Sequence, residues 1–76
     1  MPMAYVLLNT EIGSQDSILE EIRKIEGVEE AFNLYGVYDI VARIQADTME
    51  NLTNIINDKL QATNIHSKLT VVVTEP

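Results

Sequence analysis

The chain has 76 residues, 46% of them hydrophobic, which is enough for one small domain and leaves no room for a second. It contains no cysteine and a single histidine, so disulfides and thiolate metal sites are excluded, and neither a metal nor a cofactor is predicted. A net charge of −7 with five dispersed Lys and Arg residues argues against direct nucleic-acid binding.

The first part of the chain predicts a strand followed by a helix. Residues 3–9 are apolar and β-prone, and residues 11–14 predict a loop. The helix has three candidate N-cap residues, of which the last has capping-box spacing to Glu20; they are Ser14, Asp16 and Ser17. Its apolar stripe comprises Ile18, Leu19, Ile22 and Ile25. Gly27 is expected to end this helix in the left-handed conformation.

The second part predicts a hairpin, a helix and a last strand. Residues 28–35 and 38–46 predict strands, and Gly36 between them permits the positive φ of a tight hairpin. Asp47 and Glu50 form an Asp-x-x-Glu start signal for a second helix. The apolar stripe of that helix is expected in the core and comprises Met49, Leu52, Ile55, Ile56 and Leu60. Residues 62–65 predict a connection, and residues 67–74 the last strand.

The order strand, helix, strand, strand, helix, strand is typical of one architecture. It predicts an α+β, ferredoxin-like βαββαβ domain, with a four-stranded antiparallel sheet and both helices on one face. The two halves are similar in layout, but no clear sequence repeat is visible.

Apolar side chains on both faces of the predicted sheet indicate that the chain associates. In the first strand Val6 and Leu8 alternate with Tyr5 and Leu7. In the last strand the apolar residues of both faces are Leu69, Val71 and Val73 against Val72. Two helices can cover only one face, and a solvated face should be largely polar. We therefore expect a face-to-face homodimer, a dimeric α/β-barrel-like assembly that supplies the stability a small core lacks.

The segment "IRKIEGVEEAFNLYGVYDIVARI" carries a Gly-x-Tyr-Asp turn between two predicted strands, and "NIHSKLTVVV" closes the chain. Together they resemble the effector-binding RAM domain of the Lrp/AsnC (feast/famine) transcription regulators. Three positions depart from the family pattern: Glu26 stands where proline is usual, Asn64-Ile65 replaces a Gly-Val, and Lys68 replaces the first of two threonines, of which Thr70 matches the second.

The resemblance covers nearly the whole chain and implies a single ligand-binding domain over residues 1–76. The sequence begins at the first strand of that domain, so it resembles the stand-alone form without a helix-turn-helix. The resemblance further implies amino-acid sensing, dimers through the sheets, rings that are commonly octamers, and small ligands between dimers near the Gly-x-Tyr-Asp turn. Full-length regulators of the same family are candidate partners.

An amino-acid ligand presents a carboxylate and an ammonium group. Gly36, Val37 and Tyr38 are candidates to offer backbone N–H groups to the carboxylate, and Asp39 is a candidate to pair with the ammonium. The structural alternative is that Gly36 only makes the turn and Asp39 only bonds the hairpin backbone.

Two further residues complete the candidate ligand site. Tyr35 flanks the turn and is placed to rim a pocket, and Thr70 is placed to give one orienting hydrogen bond. The alternatives are that Tyr38 packs on the sheet and that Thr70 is simply a β-prone strand residue. The acidic residues of the first helix and second strand are expected to form a solvated face, and His66 has no oriented partner that would make it a catalytic base.

Three functions compete at this point. The main hypothesis is a non-enzymatic regulatory module that binds an amino acid or similar metabolite and shifts an assembly or partner equilibrium. The second is a small dimeric α/β-barrel enzyme, for which Arg43 and Asp39 on one predicted strand face are the support. The third is a structural oligomerisation domain.

No apolar run approaches the roughly 18 residues that span a bilayer, and no signal-peptide pattern is present, so a cytoplasmic location without membrane contact is expected.

Overall fold

The computed structural model describes residues 1–60 and 65–73. The described elements follow the predicted order: strand β1 Met3–Thr10, helix α1 Gln15–Arg23, strand β2 Val28–Asn33, strand β3 Ile40–Gln45, helix α2 Met49–Asn54, a π-helical segment Ile55–Lys59, and strand β4 Ile65–Val73. The four strands form one antiparallel sheet in the order β2-β3-β1-β4. The predicted α+β ferredoxin-like fold is confirmed. The predicted connection 62–65 lies outside the described residues except for Ile65, as does Thr74 of the last strand.

The helices pack on one face of the sheet because the strands alternate strictly. Ala4, Val6 and Leu8 of β1 are fully buried on this face, and the buried residues of the neighbouring strands are Ala31, Ile40, Ala42 and Ile44. The helical layer contributes Ile18, Leu19, Ile22, Leu52, Ile56 and Leu60 to the same core. Burial of each large aliphatic side chain stabilises the fold by about 1.5–3 kcal/mol.

The opposite face of the sheet is the open face, and the register defines its residues. Directly opposed residues on neighbouring strands point to the same side of a sheet. Tyr5 of β1 is paired with Arg43 of β3 and with Val71 of β4, while Leu7 is paired with Val41 and Leu69. Tyr5, Leu69 and Val71 are 39%, 45% and 48% exposed. The open face is therefore largely apolar.

The register also shows which face of the sheet Val72 is on. The sequence leaves this open, because consecutive residues of β4 are apolar. Val72 is paired with Ala4, whose side chain is buried beneath the helices, so Val72 lies on the helix side of the sheet. It is nevertheless 36% exposed, because β4 is an edge strand that the helical layer covers incompletely.

Ser14, one of the three candidate N-cap residues, is confirmed, while the predicted capping box and the predicted helix end at Gly27 were wrong. The helix begins at Gln15 with Ser14 at the N-cap, and Ser17 lies inside the first turn, where its hydroxyl donates to the Ser14 carbonyl at 3.1 Å. Ser17 therefore forms no capping box. The helix ends at Arg23, and Gly27 adopts φ +101° in the turn before β2 rather than at the helix end.

The second helix differs from prediction at its start and along its stripe. Thr48, not Asp47, is the N-cap, and its hydroxyl accepts from the Asn51 N–H at 3.1 Å. Met49, the first residue of α2, is 50% exposed, so its predicted place in the core was wrong. After Asn54 the chain continues as a π-helix, in which the Leu60 N–H donates to the Ile55 carbonyl at 3.2 Å.

Gly27 allows the turn before β2 to approach both β3 and the helical layer. Its carbonyl accepts from the Gln45 N–H at 2.8 Å. A Cβ atom at this position would lie 2.6 Å from Ile55 Cδ1 and 3.2 Å from the Gln45 carbonyl oxygen. A side chain here would therefore meet both backbone strain and a steric contact.

We expect Gly27→Ala to destabilise the fold more than Gly13→Ala, the matched control. Both glycines have positive φ, +101° and +88°, but a Cβ at Gly13 meets no atom within 4 Å. Gly13→Ala should lower the free energy of unfolding by about 1–2 kcal/mol through backbone strain. Gly27→Ala should cost about 1 kcal/mol more, because the Gln45 carbonyl oxygen is backbone and cannot move away as readily as Ile55 Cδ1. Urea unfolding followed by circular dichroism measures both, and equal losses would contradict the role of the Gly27 contact.

Candidate functional site

The candidate site is the loop of residues 34–39, which joins β2 to β3 at the rim of the sheet. The Leu34 N–H donates to the Asp39 carbonyl at 2.7 Å and closes the base of the loop. The predicted tight hairpin was therefore wrong: β2 ends at Asn33 and β3 begins at Ile40, two residues short of the predicted ends on each side. A six-residue loop, 34–39, therefore joins the two strands.

The tip of the loop projects into solvent. Tyr35 is fully exposed and Val37 is 84% exposed, while Tyr38 and Asp39 at its base are half-buried. Gly36 has φ +154°, which confirms the predicted positive φ, and no atom lies within 4 Å of the position a Cβ would take. The apolar side chains at this loop tip are therefore not covered by the part of the chain that the structure describes.

The backbone of the tip has unused hydrogen-bond donors. Among the backbone hydrogen bonds of the described residues, the N–H groups of Gly36, Val37 and Tyr38 do not donate. Solvent satisfies them in the isolated chain. Three successive free N–H groups beside a glycine form the kind of donor set that binds an anion such as a carboxylate.

Asp39 anchors the base of the loop to β1. Its N–H donates to the Leu8 carbonyl at 2.9 Å, and its Oδ2 accepts from the Thr10 N–H at 2.8 Å and the Thr10 hydroxyl at 3.3 Å. Thr10 is 9% exposed and is the last residue of β1. The carboxylate thus replaces a missing ladder partner at the end of the strand.

A second anchor comes from the start of α1. The Gln15 side-chain amide donates from Nε2 to the Asp39 carbonyl at 2.7 Å, and the Asn33 amide donates to the Asp16 carboxylate at 3.4 Å. The base of the loop is therefore held by both β1 and α1, while its tip has no such contacts.

These contacts decide between the two roles considered for Asp39. The carboxylate has a structural role, but its bonds go to Thr10 on β1 rather than to the hairpin backbone. Both bonds fall on Oδ2, so Oδ1 accepts no hydrogen bond from the described residues. That oxygen is free to accept from a ligand.

Sequence reasoning missed Thr10 and Gln15. The predicted first strand ended at residue 9, one residue before Thr10, and Gln15 lay outside the apolar stripe of the helix. The signal that was available is the threonine that ends an apolar run, a position where a hydroxyl and an N–H both need partners.

Five of the six predicted site residues lie together and one lies apart. Tyr35, Gly36, Val37, Tyr38 and Asp39 share the loop. Thr70 is exposed on the edge strand β4, opposite Val6, with β1 between it and β3. Two strand spacings, about 10 Å, separate it from β3. Within a single chain Thr70 does not meet the loop.

The described part of the chain offers no other assembled site. It contains no group of three or more His, Cys, Asp or Glu side chains that is arranged to hold a metal ion. Arg43, predicted to share a face with Asp39, lies 3.4 Å from Glu30 instead, and His66 is exposed at the start of β4. None of the helices in the described ranges has the length and apolar character needed to cross a membrane.

Comparison with known proteins identifies relatives of this arrangement. The family model for the Lrp/AsnC ligand binding domain matches residues 3–76. The crystal structure of FFRP-DM1 superposes with a TM-score of 0.90 at 27% identity, over 96% of this chain and 99% of that one. A hypothetical protein from Pyrococcus horikoshii, PHS023, superposes at 0.88 with 25% identity, over 100% and 93%. The comparison with curated protein sequences gives no match.

A more distant structure has a bound amino acid. The transcriptional regulator NMB0573 from Neisseria meningitidis, in complex with L-Met, superposes with a TM-score of 0.83. The identity is 16%, and the match covers 97% of this chain and 50% of that chain. At this identity the likeness is one of fold.

We expect Asp39→Ala to destabilise the chain and Asp39→Asn to do so much less. Alanine leaves the buried Thr10 N–H without an acceptor, which costs about 1–3 kcal/mol. Asparagine keeps an oxygen acceptor of nearly the same shape and should cost less than about 1 kcal/mol. Chemical unfolding of the two variants measures the difference, and equal stability of both would contradict the anchoring role of the carboxylate.

Proposed function

Since the chain belongs to the family of Lrp/AsnC ligand binding domains, we propose that it senses an amino acid or similar small metabolite at the 34–39 loop. Family membership supports a regulatory, ligand-sensing role rather than a catalytic one. The observation that carries the proposal is a loop rigidly held at Asp39 whose tip keeps three backbone N–H groups free.

The two charged groups of an amino acid fit the two ends of this loop. The carboxylate binds the N–H groups of Gly36, Val37 and Tyr38, where the open space beside Gly36 admits close approach. The ammonium donates to Asp39 Oδ1, which the bonds to Thr10 leave free. Tyr35 and Val37 supply apolar surface for the ligand side chain.

The site is completed by another subunit. A small ligand is normally buried over 70–90% of its surface, and a projecting loop alone cannot provide this. The exposed tip residues Tyr35 and Val37 and the exposed Thr70 are surfaces that a neighbouring subunit can cover or contribute. In this proposal Thr70 reaches the ligand from a different chain than the loop does.

The assembly itself begins at the open face of the sheet. Two copies pack open face to open face as a homodimer, and dimers join into a higher oligomer, with an octamer as the proposed size. The ligand at the boundary between dimers shifts that equilibrium or the pairing with a full-length Lrp/AsnC-type regulator.

The competing functions have less support. An enzyme would need a reactive pair, and the pair suggested by the sequence is separated, since Arg43 is beside Glu30 and Asp39 is bonded to Thr10. The match to a ligand binding domain favours the sensor over a purely structural oligomerisation domain, which would bind no ligand. Stabilisation by an amino acid that is not consumed distinguishes the sensor from both.

We expect Asp39→Asn to weaken amino-acid binding while the fold remains stable. Isothermal titration against a panel of amino acids first identifies the effector. Loss of the charge-assisted bond should then raise the dissociation constant roughly 10- to 100-fold. Asp16→Asn, which makes the same charge change outside the loop, is the matched control and should bind normally. Unchanged affinity of Asp39→Asn would remove Asp39 from the site.

We expect Val71→Asp to abolish sheet-mediated dimers and Val72→Asp to preserve them. The two valines are neighbours on β4 with similar exposure, 48% and 36%, but only Val71 is on the open face. A charge buried in an apolar interface without a partner is strongly unfavourable. Light scattering at tens of micromolar measures the mass of each variant. A dimeric Val71→Asp variant would contradict association through this face.

A further inference from the structure

The open face carries an ion pair within its apolar surface. Glu30 of β2 is paired in register with Arg43 of β3, which in turn is opposite Tyr5 of β1. The Arg43 Nε atom lies 3.4 Å from Glu30 Oε2. The next row across the same face is entirely apolar and comprises Phe32, Val41, Leu7 and Leu69.

The guanidinium of Arg43 is poorly satisfied by the described residues of its own chain. A charged N–H···O bond is normally 2.7–2.9 Å, so 3.4 Å is a loose contact. The Nε atom is shielded from solvent and has no hydrogen-bond partner among the described residues. Among residues 1–60 and 65–73, Nη1 contacts only the Met3 sulfur, a weak acceptor, at 3.9 Å. A group with five donors thus has one loose acceptor and one weak one.

If a partner covered the open face, the shortage of hydrogen-bond acceptors around Arg43 would become unfavourable. The two side chains are 33% and 51% exposed, and at that exposure water compensates for the loose geometry. An apolar partner surface would remove that water and leave a buried charge without adequate bonds. The partner that covers this face must therefore bring an acceptor for Arg43 and a donor for Glu30.

A second copy of the same chain meets both requirements. In a two-fold symmetric contact the same patch meets itself, so each copy offers one guanidinium and one carboxylate to the other. The pair is neutral, so the rest of the chain carries the whole net charge of −7, and most approaches between copies are repulsive. When two copies approach through their open faces, the Glu30–Arg43 pairs add no net charge at the contact, so the pairs do not repel each other.

We propose that Glu30 and Arg43 determine the partner of the open face, selecting a second copy of this chain through reciprocal Glu30–Arg43 contacts. The inference rests on the sheet-face dimer proposed above and adds its specificity determinant. The dimer contains four of these side chains, Glu30 and Arg43 from each copy. A total charge of zero on the four permits the two copies to associate, and an excess of either sign prevents it.

Two single variants test this reciprocity. Glu30→Lys gives two cations per face and Arg43→Glu gives two carboxylates, so each variant alone should dimerise at least roughly a hundredfold more weakly than the wild type. An equimolar mixture should form heterodimers, since the four side chains then sum to zero. Glu20→Lys on α1 and Lys24→Glu at its C-cap, both at exposed positions, make the same changes in net charge and should dimerise normally.

Sedimentation velocity on the wild type, each variant and the mixture gives the outcome. Monomeric single variants and a heterodimeric mixture support the proposal. If the wild type is dimeric and the single variants dimerise equally well, the proposal is overturned while the dimer stands. A monomeric wild type overturns both. Should the single variants not fold, the double variant Glu30→Arg, Arg43→Glu restores the pair, and its failure to dimerise overturns the proposal.

Discussion

The structure depends on a simple constraint: two short helices can shield only one face of a four-stranded sheet. On the shielded face every inward position of β1 and β3 is buried, from Ala4, Val6 and Leu8 to Ile40, Ala42 and Ile44. The opposite face is also largely apolar, and none of the described helices covers it. The sheet is therefore half of a larger arrangement, and each proposal about its partner follows from this imbalance between the two faces.

The rim of the sheet combines rigidity with unused binding capacity. Asp39 connects the loop to the end of β1 through Thr10, and Gln15 connects it to the start of α1. Because the base is held at several points, the loop leaves the sheet at a defined place, while its tip has no such contacts. Such a division, in which a scaffold fixes a loop and the loop recognises a ligand, is how small domains commonly carry binding sites.

The sequence was sufficient for the order of elements and for the core, because a period of two or of 3.6 in apolar residues reports directly on burial. It was insufficient where geometry decides. Valines at consecutive positions of β4 do not reveal which faces outward, and only the pairing of Val72 with Ala4 does. The hydroxyl of Thr48, the exposure of Met49 and the Thr10–Asp39 contact likewise depend on local backbone paths and on residues far apart in sequence. Five of the predicted site residues are contiguous, so their grouping followed from the sequence, whereas the position of Thr70 relative to them required the sheet order.

The π-helical segment after α2 joins the two layers at the edge of the sheet. Lys68 of β4 donates from Nζ to the carbonyl of Ile56 in this segment at 2.8 Å. An edge strand that pairs with a neighbour along only one side is the strand most easily peeled from a sheet. The hydrogen bond from Lys68 opposes that motion by connecting β4 to the helical layer. Lys68 stands where the family pattern has threonine, and in this chain it helps to hold the outermost strand in place.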